Sequence, residues 1–491
     1  MQRLPVAKSR DNRHTNPHPG RYHTVVIGAG AGGLTVAVGL SNLGKRVALV
    51  ERGAIGGDCT NVGCVPSKTL IHLVETQHQH GLSSAEILAR VRAKRDHLRD
   101  EESEQVHGID GVDVLRGTGR LLGANRVEVT LNGGGTQTLN TKNVVLAVGA
   151  RPRCIDIPGL PDDRTLTNES LFEQAEAPQH LAIIGGGVMS AEMAVAFRKL
   201  GSRVSVVHRS ERLLNGLEPP VSEVLAASFR AHNIAFYTSA TAERYDPGTS
   251  TLYVQQRGEE KALHGVDRVL LAIGRVPNTE RLGLEPLGIR TTPAGIPTDS
   301  AGRTNIRTIY AIGDANPSAH FTHAANAQGR RAVLKLAAPW LPLLGGVPDY
   351  PGAIFSDPEI ASVGPPLSDL QRRYHPDLIR TLHVELSELD RGYTEGLEHG
   401  FVRLHVMRLT GRLLSATIVA PKASEMLPLL NFLVDKRMSL YRLYNVVFAY
   451  PTHSEAIKKA TDQFVFTALP ALPHELLTYL RYRWRRPPSR S

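Results

Sequence analysis

The chain is 491 residues long, with a formal net charge of +10 and only three cysteines. That length predicts about three domains at ~150 residues each, and so few cysteines exclude a disulfide-stapled secreted scaffold and favour a reducing compartment. Met1 to Tyr22 is polar without an apolar signal core, and no run approaches about 18 uninterrupted apolar residues, so a soluble, cytoplasmic protein without a transmembrane helix is expected.

The chain opens on a basic, flexible extension over residues 1–21, where Arg3, Lys8, Arg10, Arg13 and Arg21 stand against Asp11. A strand-like run from Thr24 to Ile27 leads into Gly28-Ala29-Gly30-Ala31-Gly32-Gly33. An apolar helix pattern (Leu34 to Leu43) follows, then a strand, Val47 to Val50, ending in Glu51. Strand, glycine turn, helix, strand and acid make the layout of a dinucleotide-binding unit. Gly28 and Gly30 let the backbone approach a pyrophosphate, Gly33 lets helix and strand pack closely, and Glu51 accepts from the adenosine ribose hydroxyls. The helix N-terminus offers unpaired N–H groups to the phosphates. Cys59 and Cys64 come next, in Gly56-Gly57-Asp58-Cys59-Thr60-Asn61-Val62-Gly63-Cys64-Val65-Pro66-Ser67-Lys68. Beyond them His72, His78 and His80 read as a solvated helix end, and no metal site is expected. The stretch from Gly81 to Val106 reads as a polar helical excursion with a solvated surface. Cys154 reads as an ordinary residue between domains.

The pattern then returns. Leu181 to Ile184 leads into Gly185-Gly186-Gly187-Val188-Met189-Ser190, a helix pattern (Ala191 to Leu200), a strand (Val204 to Val207) and His208. Glu51 and His208 each follow the first glycine of their copy by 23 residues. One such motif is weak evidence, whereas two in matching context are strong. An acid at position 208 would select NADH through the ribose 2′-hydroxyl. His208 and Arg209, with Arg212 beyond, suit the 2′-phosphate of NADPH instead. Ser190 in the place of the third glycine fits a less tight helix–strand approach.

The order of motifs resembles that of the FAD-dependent pyridine nucleotide–disulfide oxidoreductases, the family of glutathione reductase, dihydrolipoamide dehydrogenase and mercuric reductase. The likeness runs from about Thr24 to about Phe466. It includes the cysteine motif, Val145-Leu146-Ala147-Val148-Gly149-Ala150, Leu270-Leu271-Ala272-Ile273-Gly274-Arg275, the stretch from Thr304 to Ala315, and Ser356-Asp357-Pro358-Glu359. The resemblance implies an α/β fold with two Rossmann-like dinucleotide-binding domains, the second inserted in the first, and a C-terminal α+β dimerisation domain. The FAD domain would take residues 22–157 and 281–345, the NADPH domain 158–280, the dimerisation domain 346–468, and a basic tail 469–491. FAD would be held by Gly28, Gly30, Gly33, Glu51, Lys68, Gly149 and Asp314, the last on its ribitol. NADPH would be held by Gly185, Gly187, Ser190, His208, Arg209 and Gly274. In the family's roles Cys64 is the charge-transfer thiol and Cys59 the interchange thiol. Lys68 approaches the flavin and pairs with Glu192, a cation beside the isoalloxazine stabilising the charge that develops on reduction. A homodimer is implied, each C-terminal motif completing the partner's site.

Departures from the family pattern bear on the substrate. Disulfide reductases carry His-Pro-Thr-x-x-Glu near the C-terminus, whereas this chain reads Tyr450-Pro451-Thr452-His453-Ser454-Glu455. Tyrosine, with a pKa of about 10, is a poor base at neutral pH where histidine at about 6.5 is well poised. That disfavours a thiol substrate and suits a soft metal ion, which thiolates bind with little proton shuttling. Mercuric reductase also carries this tyrosine, but its C-terminal cysteine pair has no counterpart here, because no cysteine follows Cys154. Asp58 replaces the family's threonine near the FAD pyrophosphate and needs a donor; Val188 replaces glutathione reductase's gating tyrosine. Glu455 is read as the motif acid or as a helix cap, and His453 as a helix-start residue or a substitute base. Three functions stay open: a mercuric reductase-like enzyme passing electrons to a metal ion or other small oxidant, a glutathione- or lipoamide-type disulfide reductase, and a slow-turnover redox sensor. The tail from Ala471 carries Arg481, Arg483, Arg485, Arg486 and Arg490 against Glu475. It reads as a solvated segment packed through its aromatics, or as a weak contact with an anionic membrane surface. No nucleic acid partner is expected.

Overall fold

A computed structural model describes residues 21–76, 81–342 and 349–484. His78, His80, the extension before Arg21 and the last arginines of the tail lie outside the described residues. The fold is α/β, and its contacts divide it into two units. One comprises Met1–Asp156, Asp162–Ala177 and Leu270–Val347; the other Ile157–Pro161, Pro178–Val269 and Pro348–Ser491.

In the first unit the strand Arg21–Ile27 lies between Val47–Glu51 and Thr136–Leu146, parallel to both. Ile309–Ala311 runs parallel on the far side of Thr136–Leu146. Val112–Gly123 serves two layers. Its first half pairs parallel with Val47–Glu51, and its second half turns antiparallel to Arg126–Leu131, which pairs back to the start of Thr136–Leu146. The central strands are near-continuous apolar runs because both sheet faces are covered. One face receives the helices Ala31–Asn42 and Thr322–Ala337, around a core that includes Val26, Leu34, Leu49 and Ile312. Glycine is required where the first strand meets its helix. Gly28 holds φ +104°, and a Cβ there would stand 2.3 Å from the Ala147 carbonyl oxygen. A Cβ on Gly33 would stand 1.9 Å from the Gly28 carbonyl oxygen, which is the close helix–strand approach expected of the third glycine.

The second unit has its own parallel layer, with Arg203–His208 between His180–Ile184 and Ala235–Thr238. The helix Val188–Lys199 leaves this layer from Gly187. An antiparallel ribbon of Ala240–Asp246, Thr251–Gln256 and Glu259–Leu263 follows. The C-terminal part is a five-stranded antiparallel sheet in the order Gly352–Ile354, Glu359–Val363, Leu413–Ala420, Phe401–Met407, Ile379–Glu385. The helices Ala423–Asp435 and Glu455–Ala468 bury Leu430, Ile457 and Phe464 in the same core as Val402 and Ile418 of that sheet.

The segment read as a solvated excursion is a 24-residue helix, Ser84–His107, and it is not solvated throughout. Ile87, Leu88 and Val91 are buried, as are Arg95 and Glu102. Its polar residues are used inward: Arg92 donates to the carbonyls of Phe172 and Gln174, and Arg95 pairs with Glu173. Among the described residues no helix is long and apolar enough to cross a membrane.

Candidate active site

Cys59 lies in the short helix Gly57–Asn61, and Cys64 opens the helix Cys64–Glu75. The loop between them needs Gly63, where a Cβ would stand 2.8 Å from the Asp58 carbonyl oxygen. The two sulfurs stand as thiols, Cys59 half-buried and Cys64 exposed. Hydrogen bonding to Cys64, then burial, pushes the Cys59 thiol far above its ordinary range. Two thiols in contact do not both ionise readily. Cys64 sits at its own helix N-terminus, and its Sγ lies 3.5 Å from the hydroxyl of Thr322, the first residue of the helix Thr322–Ala337. Two positive helix ends thus favour a thiolate there. Lys68 follows Cys64 by four residues and shares its helix face.

Asp58 finds its donor in Arg275, whose guanidinium also donates to the Ala150 carbonyl and places Nε 3.4 Å from Asp314. Burial pushes the Asp314 carboxyl up, an effect that His320 and Arg275 oppose and Asp58 reinforces. Behind Cys59, Thr60 donates to the buried Glu102 at 2.9 Å, and burial raises that carboxyl above its usual range. Glu51 receives the N–H of Ala29 at 2.6 Å and that of Gly53 at 2.7 Å. The group fitting this unit is FAD. The helix Ala31–Asn42 starts at Gly30 with no side-chain cap, leaving its N–H groups for a pyrophosphate. Gly149 has open space where a Cβ would stand, and the buried Arg275 Nε has no hydrogen-bond partner.

In the second unit Gly185 turns with φ +124°, and Gly187 starts its helix without a side-chain cap. Three buried polar atoms gather on this turn and the strand end without hydrogen-bond partners: Ser190 Oγ, His208 Nε2 and Arg212 Nη1. Buried polar groups are normally paired, so these fit a polar ligand. His208 lies against Gly186, where a Cβ would stand 2.5 Å from the imidazole. Burial lowers its pKa, so the lasting positive charge near this turn is that of Arg209 and Arg212. Gly274, in the first unit, has φ +109° and open space around it. Glu192 is buried in its helix and accepts the Phe355 N–H at 3.0 Å.

The C-terminal motif is distributed differently. Tyr450 is exposed and donates to Asp390 at 2.6 Å, and that carboxylate raises the phenol pKa, so the ionised form able to take a proton is scarcer still. Glu455 receives the Thr452 N–H at 3.3 Å in the manner of a helix cap. His453 meets Glu395 at 2.8 Å. Sequence reasoning missed Thr322, Glu102 and the role of Arg275. Of these only Arg275 lies within a recognised motif.

The model of the pyridine nucleotide-disulphide oxidoreductases matches residues 22–329, and that of their dimerisation domain matches residues 350–461. A mercuric reductase of Shigella flexneri is 32% identical over 468 residues, covering 91% of this chain and 81% of that protein. A dihydrolipoyl dehydrogenase of Staphylococcus aureus is 30% identical over 464 residues, covering 90% of this chain and 96% of that one. Among solved structures, LpdA from Mycobacterium tuberculosis superposes with a TM-score of 0.82 at 28% identity, over 91% of this chain and 99% of its own.

Proposed function

The chain belongs to the pyridine nucleotide-disulphide oxidoreductases, FAD enzymes driven by a nicotinamide nucleotide, and from that premise we propose that it takes electrons from NADPH and delivers them through Cys59 and Cys64 to a soft metal ion or another small oxidant. When bound, FAD supplies the two-electron relay between the nicotinamide and the cysteine pair. Residues 22–157 with 281–345 form its domain, 158–280 the NADPH domain and 346–468 the dimerisation domain.

In this reading the Cys59–Cys64 disulfide accepts two electrons, with two protons from the hydride donor and solvent, and becomes a dithiol. Loss of two protons gives a dithiolate that binds the acceptor. For a divalent soft ion, two thiolates and the ion become the disulfide and the metal atom, which balances charge and electrons. Lys68, with Glu192 as its proposed partner, counters the negative charge of reduction. The donor is taken as NADPH because Arg209 adjoins His208 and Arg212 supplies one of the unpartnered polar atoms at the second glycine turn.

One observation carries the choice of acceptor: Tyr450 replaces the histidine base, and Asp390 holds its hydroxyl protonated. A metal ion needs no proton from that position, whereas a leaving thiolate does. The likeness to mercuric reductases points the same way. A second reading rests on the His453–Glu395 pair, an imidazole–carboxylate couple able to serve a disulfide substrate. A steady-state panel separates them. NADPH oxidation is measured with mercuric ion, cupric ion, quinones, glutathione disulfide and lipoamide, and then repeated with NADH. Turnover should be fastest with a metal ion or quinone, and Arg209→Ala should narrow the NADPH preference by about tenfold, the effect of losing one charged contact. A clear preference for lipoamide, abolished by His453→Ala, would select the second reading.

A further inference from the structure

The helix Leu472–Tyr482 buries Glu475 and leaves its leucines exposed. Its inner anchor is Glu475, 1% exposed, which accepts from Arg380 and lies 3.4 Å from the Arg408 guanidinium. Tyr479 and Tyr482 pack beside it on a cluster that includes Leu370, Leu378 and Met407, and Tyr482 stacks on His375 with ring centroids 4.1 Å apart. Along the flank beside that anchor Leu472, Leu476 and Leu480 recur every fourth residue, with Leu469, Leu477 and Trp484 near them. All are exposed, Leu477 by 68% and Trp484 by 82%. A surface helix ordinarily turns such a stripe toward its core. Here buried ion pairs hold it outward, which marks an interaction surface.

Charge identifies the occupant. Arg481 and Arg483 border the stripe, and the sequence continues through Arg485, Arg486 and Arg490. The one acid after Ala471, Glu475, is turned inward on Arg380. The stripe also lies past residues 350–461, the part matched by the dimerisation domain. We propose that this face docks the enzyme on an anionic lipid bilayer, the leucines and Trp484 entering the acyl boundary while the arginines meet lipid phosphates.

The test uses the purified, flavin-loaded protein mixed with vesicles of phosphatidylcholine alone or of equal parts phosphatidylcholine and phosphatidylglycerol. The protein should sediment with the anionic vesicles about tenfold better than with the neutral ones, and added salt should weaken the binding. Tryptophan emission should shift to the blue on vesicle addition, a change that Trp484→Phe removes. The Leu476→Ser, Leu477→Ser double variant should lose about tenfold in binding while keeping its flavin content and its mass by light scattering. Failure to sediment with anionic vesicles would overturn the proposal. So would a double variant that dissociates into single subunits, since the stripe would then be a contact between copies of the chain.

Discussion

Arg275 is the residue on which the first unit's charge balance turns. It stands between two carboxylates, Asp58 and Asp314, and burial already pushes the second toward its protonated form. A threonine at position 58 would need no such cation, so the acid and the arginine make sense only together. Removing the guanidinium leaves two like charges beside the phosphate-binding turn. Arg275→Ala should therefore weaken FAD binding by about tenfold, or ~1.4 kcal/mol, read as recovery of free-flavin fluorescence on dilution. Adding Asp58→Asn should restore part of that loss, because it removes one of the unbalanced charges. Equal flavin retention in the parent and Arg275→Ala would show that this balance does not hold the cofactor. Asp58 stood out in the sequence as an acid in need of a donor, but its donor lies 217 residues away. Side-chain partners that distant are set by how strands stack, and local pattern carries no trace of them.

At the scale of elements, the glycine turns were legible because their requirement is local. A Cβ at Gly33 collides with the Gly28 carbonyl five residues earlier, whatever the rest of the chain does, and Gly28 itself turns at φ +104°. The helix Ser84–His107 was half legible. Its start is written in Ser83 and Glu86, which form a reciprocal cap, the Ser83 hydroxyl accepting the Glu86 N–H at 3.3 Å and Glu86 accepting the Ser83 N–H at 2.8 Å. Its inward use was not legible, because Arg95 and Glu102 look like solvent residues until Glu173 and Thr60 are brought to them. The cap stabilises a helix that backs the cysteine loop, so Ser83→Ala should cost about 1 kcal/mol in urea unfolding. Gly-for-Ser at the same position should cost only a few tenths. Turnover should stay unchanged in both, since neither touches the thiols. Equal losses for the two variants would mean that the hydroxyl is not what holds the helix start.

Across the whole molecule, the order of strands, turns and motifs announced the fold, while the ties between distant segments came only with the structure. One such tie lies inside the second unit. Glu218, at the start of the helix Pro219–Ala231, accepts from His405 Nε2 at 2.5 Å and from Arg403 at 3.2 Å. The far ring nitrogen of His405 is 2.9 Å from the Thr381 hydroxyl, which fixes the imidazole between two strands of the C-terminal sheet. Burial pushes the Glu218 carboxyl up, but hydrogen bonds and charge from His405 and Arg403 outweigh it and hold the group below the usual range. A depressed carboxylate contributes stability above its unfolded pKa of about 4.3 and loses it as the pH falls through the folded value. Glu218→Ala leaves His405 and Arg403 without their carboxylate and should cost about 3 kcal/mol at neutral pH, as removal of one partner from a buried pair does. Glu218→Gln keeps a hydrogen-bond acceptor but cannot titrate, so its stability should fall less steeply than the parent's when urea unfolding is repeated at decreasing pH below about 4.5. If parent and Glu218→Gln lose stability in parallel on acidification, the charge on Glu218 does not tie this unit together.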